Sequence, residues 1–134
     1  MKRSGIIIAI ALALSSCTRE TVPPEFSPLS ITTGGQTKTV LDGTAVRWTD
    51  GDQIAVFDDL HYRNQFDAVS VENFSAVFEG KVAARTTDFY AVYPYSSAVS
   101  ADEDNILLSL PSVQDAAEDT FAEDLNISVA HGVK

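Results

Sequence analysis

The chain is poor in the residues that most crosslinking and most catalysis require. It has one cysteine, two histidines, one methionine and one tryptophan in 134 residues. A single cysteine excludes an internal disulfide, so the fold must rest on its apolar core. The histidines, His61 and His131, lie far apart, and no His-x-x-x-His or His-x-His spacing signals zinc. Basic residues are scarce: 9 Lys and Arg stand against 19 Asp and Glu, a formal charge of −10. A chain this acidic offers no basic patch for a phosphate backbone, and nucleic-acid binding is not expected. No Gly-x-Ser-x-Gly elbow and no Gly-x-x-x-x-Gly-Lys loop occurs, so neither a hydrolase nucleophile nor a phosphate cradle is signalled. No apolar run reaches the ~20 residues that span a bilayer as a helix. No catalytic activity, metal or cofactor is expected on these grounds.

The apolar run that does exist stands at the start. "GIIIAIALAL", Gly5 to Leu14, follows Lys2 and Arg3 and leads into small residues, the pattern of a secretory signal over residues 1–16. "LSSC", Leu14 to Cys17, resembles the lipobox of bacterial lipoprotein signals. That resemblance implies cleavage before Cys17 and a diacylglycerol on its thiol. The alternative is an ordinary signal with an incidental cysteine, but the chain's only cysteine sits at this one position. One acyl chain binds a membrane marginally, so stable anchoring takes two or three. Removal of residues 1–16 takes away Lys2 and Arg3 and leaves 7 basic against 19 acidic residues, a charge of −12. "TRETVPPEFSP", Thr18 to Pro28, holds three prolines and no period. Residues 17–28 therefore read as the lipidated cysteine and an extended tether.

From residue 29 to 134 the pattern is β. Short runs rich in branched and aromatic residues recur between turn signals: "LSITT" (29–33), "TKTVL" (37–41), "AVRW" (45–48), "QIAVF" (53–57), "FSAVFEGKV" (74–82), "DFYAVYPY" (88–95), "NILLSL" (105–110) and "LNISVA" (125–130). Strands of this length and spacing predict a sandwich or barrel. "DDLHYRNQFDAV", 58 to 69, reads either as an exposed excursion or as a ragged strand. "SVQDAAEDTFAED", 112 to 124, reads as a long acidic loop with one helical turn at most.

Two Asp-Gly pairs, at 42–43 and 50–51, frame the chain's tryptophan. A calcium loop would need further oxygen ligands where Ile54 and Val56 stand, and no closing Glu follows. Tight turns suit the pairs better, because Gly accepts φ > 0 and Asp tolerates it. The segment is therefore expected to be a three-strand meander. Val46 and Trp48 share one face, Arg47 points outward, and Ile54 and Val56 give the next strand one buried side. Trp48 is expected in the core with its indole N–H satisfied. "ADED", 101 to 104, reads as a solvated loop tip. "FYAVYPY" alternates so that Phe89, Ala91 and Tyr93 share one face and Tyr90, Val92 and Pro94 the other. These aromatics either pack in a strand or offer Tyr93 and Tyr95 to a sugar ring.

Three segments in order resemble fimbrillin-like lipoproteins, the minor-fimbrillin-like group: "TKTVLDGTAVRWTDGDQIAVFD" (37–58), "FYAVYPYS" (89–96), and "LPSVQ" (110–114) followed by Phe121 and "SVA" (128–130). The resemblance implies a transthyretin-like Greek-key β-sandwich on the outer membrane of a Gram-negative cell. It implies a stalk, tip, anchor or accessory subunit of pili or pilus-like adhesive structures. Partners would be the outer membrane, through lipid on Cys17, and other pilin-like subunits joined by strand addition. Family chains usually carry two sandwich domains, so residues 29–134 correspond to the N-terminal one, truncated or incomplete. The family's processing Arg has no clear counterpart: Arg19 precedes every strand and Arg47 lies within one. That departure favours an anchored or accessory role. The second function considered is a glycan-binding surface lipoprotein of a nutrient-capture system.

Overall fold

The computed structural model describes residues 22–34, 40–42, 45–72, 74–113 and 126–134. Ten strands are described: β1 Phe26–Thr33, β2 Val40–Asp42, β3 Ala45–Arg47, β4 Gln53–Phe57, β5 Arg63–Glu72, β6 Ser75–Ala83, β7 Asp88–Tyr93, β8 Ala98–Ala101, β9 Ile106–Leu108 and β10 Ser128–Val133. A 3-10 turn at Tyr95–Ser97 follows a cis Tyr93–Pro94 bond. The fold is all-β and sandwich-like. One antiparallel sheet has six strands in the order β1-β6-β5-β4-β7-β10, and two hairpins, β2–β3 and β8–β9, complete it.

The spatial order β7-β4-β5-β6 is a Greek key, three consecutive strands with the fourth returned beside the first. Only residues 84–87 join β6 to β7, which lie three strand spacings apart. In a flat sheet that gap would be about 14 Å. Part of the connection is used up by a turn in which Thr86 N–H donates to the Ala83 carbonyl at 2.9 Å. The sheet therefore has to curl. Trp48 measures the curl: its ring centroid lies 5.0 Å from Phe78 of β6 and 5.2 Å from Tyr93 of β7, both edge-on. One indole bridges strands that a flat sheet would hold too far apart.

The inner face of the curl holds the main core: Trp48, Ile54, Val56, Phe66, Phe78, Val82, Phe89 and Tyr93, with Leu29 and Ile31 of β1 against it. The outer face holds a smaller cluster: Ala55, Phe57, Val92 and Ala98, covered by Ile106 and Leu108 of the β8–β9 hairpin. β4 is thus buried on both faces, where the sequence pattern predicted one buried side. Four apolar residues in a row, Ile54 to Phe57, are what a strand between two layers requires.

Several expectations change. β4 matches residues 53–57, but it pairs with β5 and β7, not with β3. The meander is therefore a β2–β3 hairpin followed by a crossing into the large sheet. At that crossing the Thr49 backbone N–H donates to Asp52 Oδ2 at 2.7 Å, and Gly51 takes φ 92°. Gly43 of the first Asp-Gly pair, residues 37–39 and the Val46 side chain lie outside the described residues. Arg47 points outward as expected, its guanidinium 5.3 Å from the Phe74 ring. Trp48 is only 5% exposed, yet its indole N–H has no partner among the described residues, contrary to expectation. β1 begins at Phe26, so the last three residues of the expected tether are strand, and Pro28 falls on the sheet's edge, where it withholds no needed N–H. The uncertain stretch after residue 58 is a turn and then β5, the longest strand described. Its alternation is masked by a bulge between Ala68 and Ser70, which pushes Val69 into solvent and shifts the buried set from Phe66 and Ala68 to Val71. The last strand is shifted to Ser128–Val133. β8 was not foreseen. Of the expected acidic loop at 112–124, residues from 114 onward lie outside the described set.

Candidate functional site

Two adjacent carboxylates anchor the β4–β5 turn. Asp58 is buried, and its Oδ1 accepts the backbone N–H of Leu60 and of Tyr62, each at 3.1 Å. Its Oδ2 accepts Asn64 Nδ2 at 2.9 Å and the Ala83 N–H at 3.0 Å, which ties the end of β4 to the end of β6. His61 takes φ 61° inside this turn. Asp59 accepts the backbone N–H of Thr87 at 2.8 Å and of Asp88 at 3.2 Å, fixing the start of β7. Both carboxylates are joints of the fold.

The β8–β9 turn is built in the same way. The Asp102 carboxylate accepts N–H from Asp104 at 2.9 Å and from Asn105 at 2.8 Å. These bonds, the Asp104 N–H first, hold its carboxyl below the ordinary value of 3.8. The expected loop tip at 101–104 is this hairpin turn.

The two turns and β7 enclose a cleft of about 340 Å3 on the outer face. Tyr90, 46% exposed, lines it, with Ile106, Ala101 and the buried Phe57 as apolar floor and Asp88, Asp104 and Asn105 among its polar residues. The Tyr90 ring lies 4.9 Å from the His131 ring on β10, and His131 Nε2 lies 3.0 Å from Asp88 Oδ1. An aromatic face beside carboxylate and amide groups suits a ring that has both apolar C–H faces and hydroxyls. Among the described residues no group of three His, Cys, Asp or Glu is placed to hold a metal ion.

The aromatic run of β7 divides as its alternation predicts. Phe89 and Tyr93 are buried in the inner core, and the Tyr93 hydroxyl reaches Asp52 Oδ1 at 3.5 Å. Tyr93 is therefore removed from the sugar-stacking candidates. Tyr95 is covered by the Arg63 guanidinium, 3.9 Å from its ring, and Arg63 also donates to the Tyr95 carbonyl at 2.9 Å. Tyr90 is the ring left facing out. Sequence reasoning placed it on the outer face but missed its grouping with Asp88 and His131, because that grouping depends on the β7–β10 register. Cys17 lies outside the described residues.

Among the described residues no strand pairs with the outer edge of β1 or of β10. β10 has no Pro, Lys or Glu to discourage pairing, and its Gly132 sits against the Phe89 ring of β7, where a Cβ would collide. No family model, no curated protein and no solved structure matches this chain.

Proposed function

We propose that this chain is a non-catalytic cell-surface lipoprotein of fimbrillin type, anchored in the outer membrane through lipid on Cys17. It would act as an anchor, tip or accessory subunit of a pilus-like structure. The observation that carries this reading is the outer edge of β10, six residues without a pairing strand among the described residues and with His131 as the one titratable side chain. Such an edge accepts a strand from a second subunit, with backbone hydrogen bonds for affinity and alternating side chains for register. The ordered resemblance and the lipobox-like "LSSC" supply the anchoring half of the proposal.

The test has two arms. Expression in a Gram-negative host with a labelled fatty acid should place label on the chain, and Cys17→Ser should abolish both label and membrane partition. Light scattering behind size exclusion should show concentration-dependent association, suppressed by Val129→Lys, whose side chain is exposed on β10. An unacylated chain that stays monomeric at every concentration overturns the proposal.

A second reading, glycan binding, is favoured by the exposed Tyr90 ring at the outer cleft. Glycan-array binding lost on Tyr90→Ala and kept on Tyr95→Ala supports it; binding indifferent to Tyr90 counts against it.

A further inference from the structure

A larger cleft, about 630 Å3, lies where the segment before β1 passes the β4–β5 and β6–β7 turns. Its size falls in the range of small-molecule sites. Much of its wall is apolar, including Pro24, Leu60, Tyr62 and Ala84, and the Leu60 and Tyr62 side chains are about half exposed there. The surrounding backbone donors are committed. Leu60 and Tyr62 N–H go to Asp58, Ala84 N–H goes to the Glu25 carbonyl at 2.7 Å, and Thr86 N–H goes to the Ala83 carbonyl.

Thr86 and Arg85 are among the cleft residues whose side-chain polar groups are not committed among the described residues, as are Glu25 and Tyr62. Thr86 is 3% exposed, and its Oγ1 has no hydrogen-bond partner among the described residues. A buried hydroxyl left unpaired is costly and asks for an explanation. Next to it, Arg85 is exposed, and its guanidinium makes no hydrogen bond or ion pair among the described residues, although Glu25 and Asp59 line the same cleft. Asp59 is engaged instead with Thr87 and Asp88. An unpaired guanidinium and an unpaired hydroxyl beside an apolar wall call for a ligand that brings acceptor oxygens on an apolar body. The planar guanidinium fork matches a carboxylate in geometry and charge.

We propose that this cleft binds a small amphiphilic carboxylate, with its aliphatic body against Leu60, Tyr62 and Pro24 and its carboxylate on Arg85 and the Thr86 hydroxyl. The chain's charge of −10 repels anions in general, so saturable uptake of one must come from a local site. The inference goes beyond the surface-lipoprotein reading and stands whether or not the chain is acylated or associates.

Calorimetric titration of the full chain with octanoate, octan-1-ol and octylammonium tests it. Octanoate is expected to saturate one site, with octan-1-ol about 10-fold weaker for want of the charge-assisted bond. Arg85→Gln should weaken octanoate about 10-fold and leave octan-1-ol unchanged. Thr86→Val should weaken octanoate about 3-fold yet leave the melting temperature of the unliganded chain undiminished, because the hydroxyl has no bond to lose. Absence of saturable octanoate binding to the folded chain overturns the proposal. So does octylammonium binding as tightly as octanoate, or octanoate affinity unchanged by Arg85→Gln.

Discussion

The two faces of the large sheet solve burial differently. The inner face is closed by the sheet's own curl, and its large rings come from both sides of β4: Phe66 of β5 and Phe78 of β6 on one, Phe89 and Tyr93 of β7 on the other, with Trp48 between. On the outer face the short β8–β9 hairpin covers only a patch of β4 and β7, small residues and Phe57. The inner core joins β6 to β7, which do not pair with each other in the sheet, so it holds the curl. The outer layer packs the β8–β9 hairpin on β4 and β7, which the sheet already pairs, so it can loosen without unmaking the curl. Binding surface follows the same division: the inner face has none to spare, and both clefts lie where turns meet the outside.

Predictions from this contrast run from large to small. Phe78→Ala should cost about 3–5 kcal/mol in denaturant unfolding and shift Trp48 fluorescence, since it removes a fully buried ring that the indole packs against. Retention of near-native stability would mean that the curl is held elsewhere. Asp58→Ala should cost about 3 kcal/mol, because it strands the buried Ala83 N–H and frees the β4–β5 turn. A matching loss of amide protection at Leu60, Tyr62 and Ala83 would mark the carboxylate as the joint.

Gly80→Ala should cost about 1–3 kcal/mol, because its Cβ would meet the Phe66 ring and stand 2.7 Å from the Gln65 carbonyl. Gly132→Ala meets only the Phe89 ring, on an edge strand that can shift, and should cost less. Equal costs would erase the distinction between centre and edge. Leu108→Ala on the outer layer should cost about 1 kcal/mol, its side chain being half-buried, and should leave Trp48 fluorescence unchanged.

The smallest effect is a pH dependence. Asp102 has a folded pKa below its unfolded one, so its stabilisation is fully present above the unfolded value and disappears as pH falls through the folded value. The stability gap between the wild type and Asp102→Ala should therefore be constant near neutral pH and shrink below about 3.8. Equilibrium unfolding at pH 7, 5 and 3 checks it. A gap that widens in acid would contradict the turn's hydrogen bonds.

Much of the strand inventory was legible because alternation reports a strand with one buried side. β1 alternates residue by residue over its length, and β7 splits its aromatics between faces as its pattern requires. β5 was not legible, because one extra residue at its bulge puts the two halves of its pattern out of phase. The pairing of β4 was misjudged for a related reason: an Asp-Gly turn states that the chain reverses, not which sheet it re-enters. Of the candidate sites, Tyr90 could be placed on a face, but not beside Asp88 and His131. Thr86 and Arg85 carry no pattern at all.

What the sequence by itself determined is local: an all-β chain, acidic, with a single cysteine, a turn at its second Asp-Gly pair and Trp48 in the core. These follow from side-chain chemistry and from the two-residue period of a strand, both properties of neighbours along the chain. The tertiary structure alone decided which strands meet, that β4 is buried on both sides, that Asp58 and Asp59 are joints, and where Tyr90, Arg85 and Thr86 stand. Those depend on register and curl, which arise when segments distant in sequence compete to bury the same apolar surface, and no short stretch records the outcome.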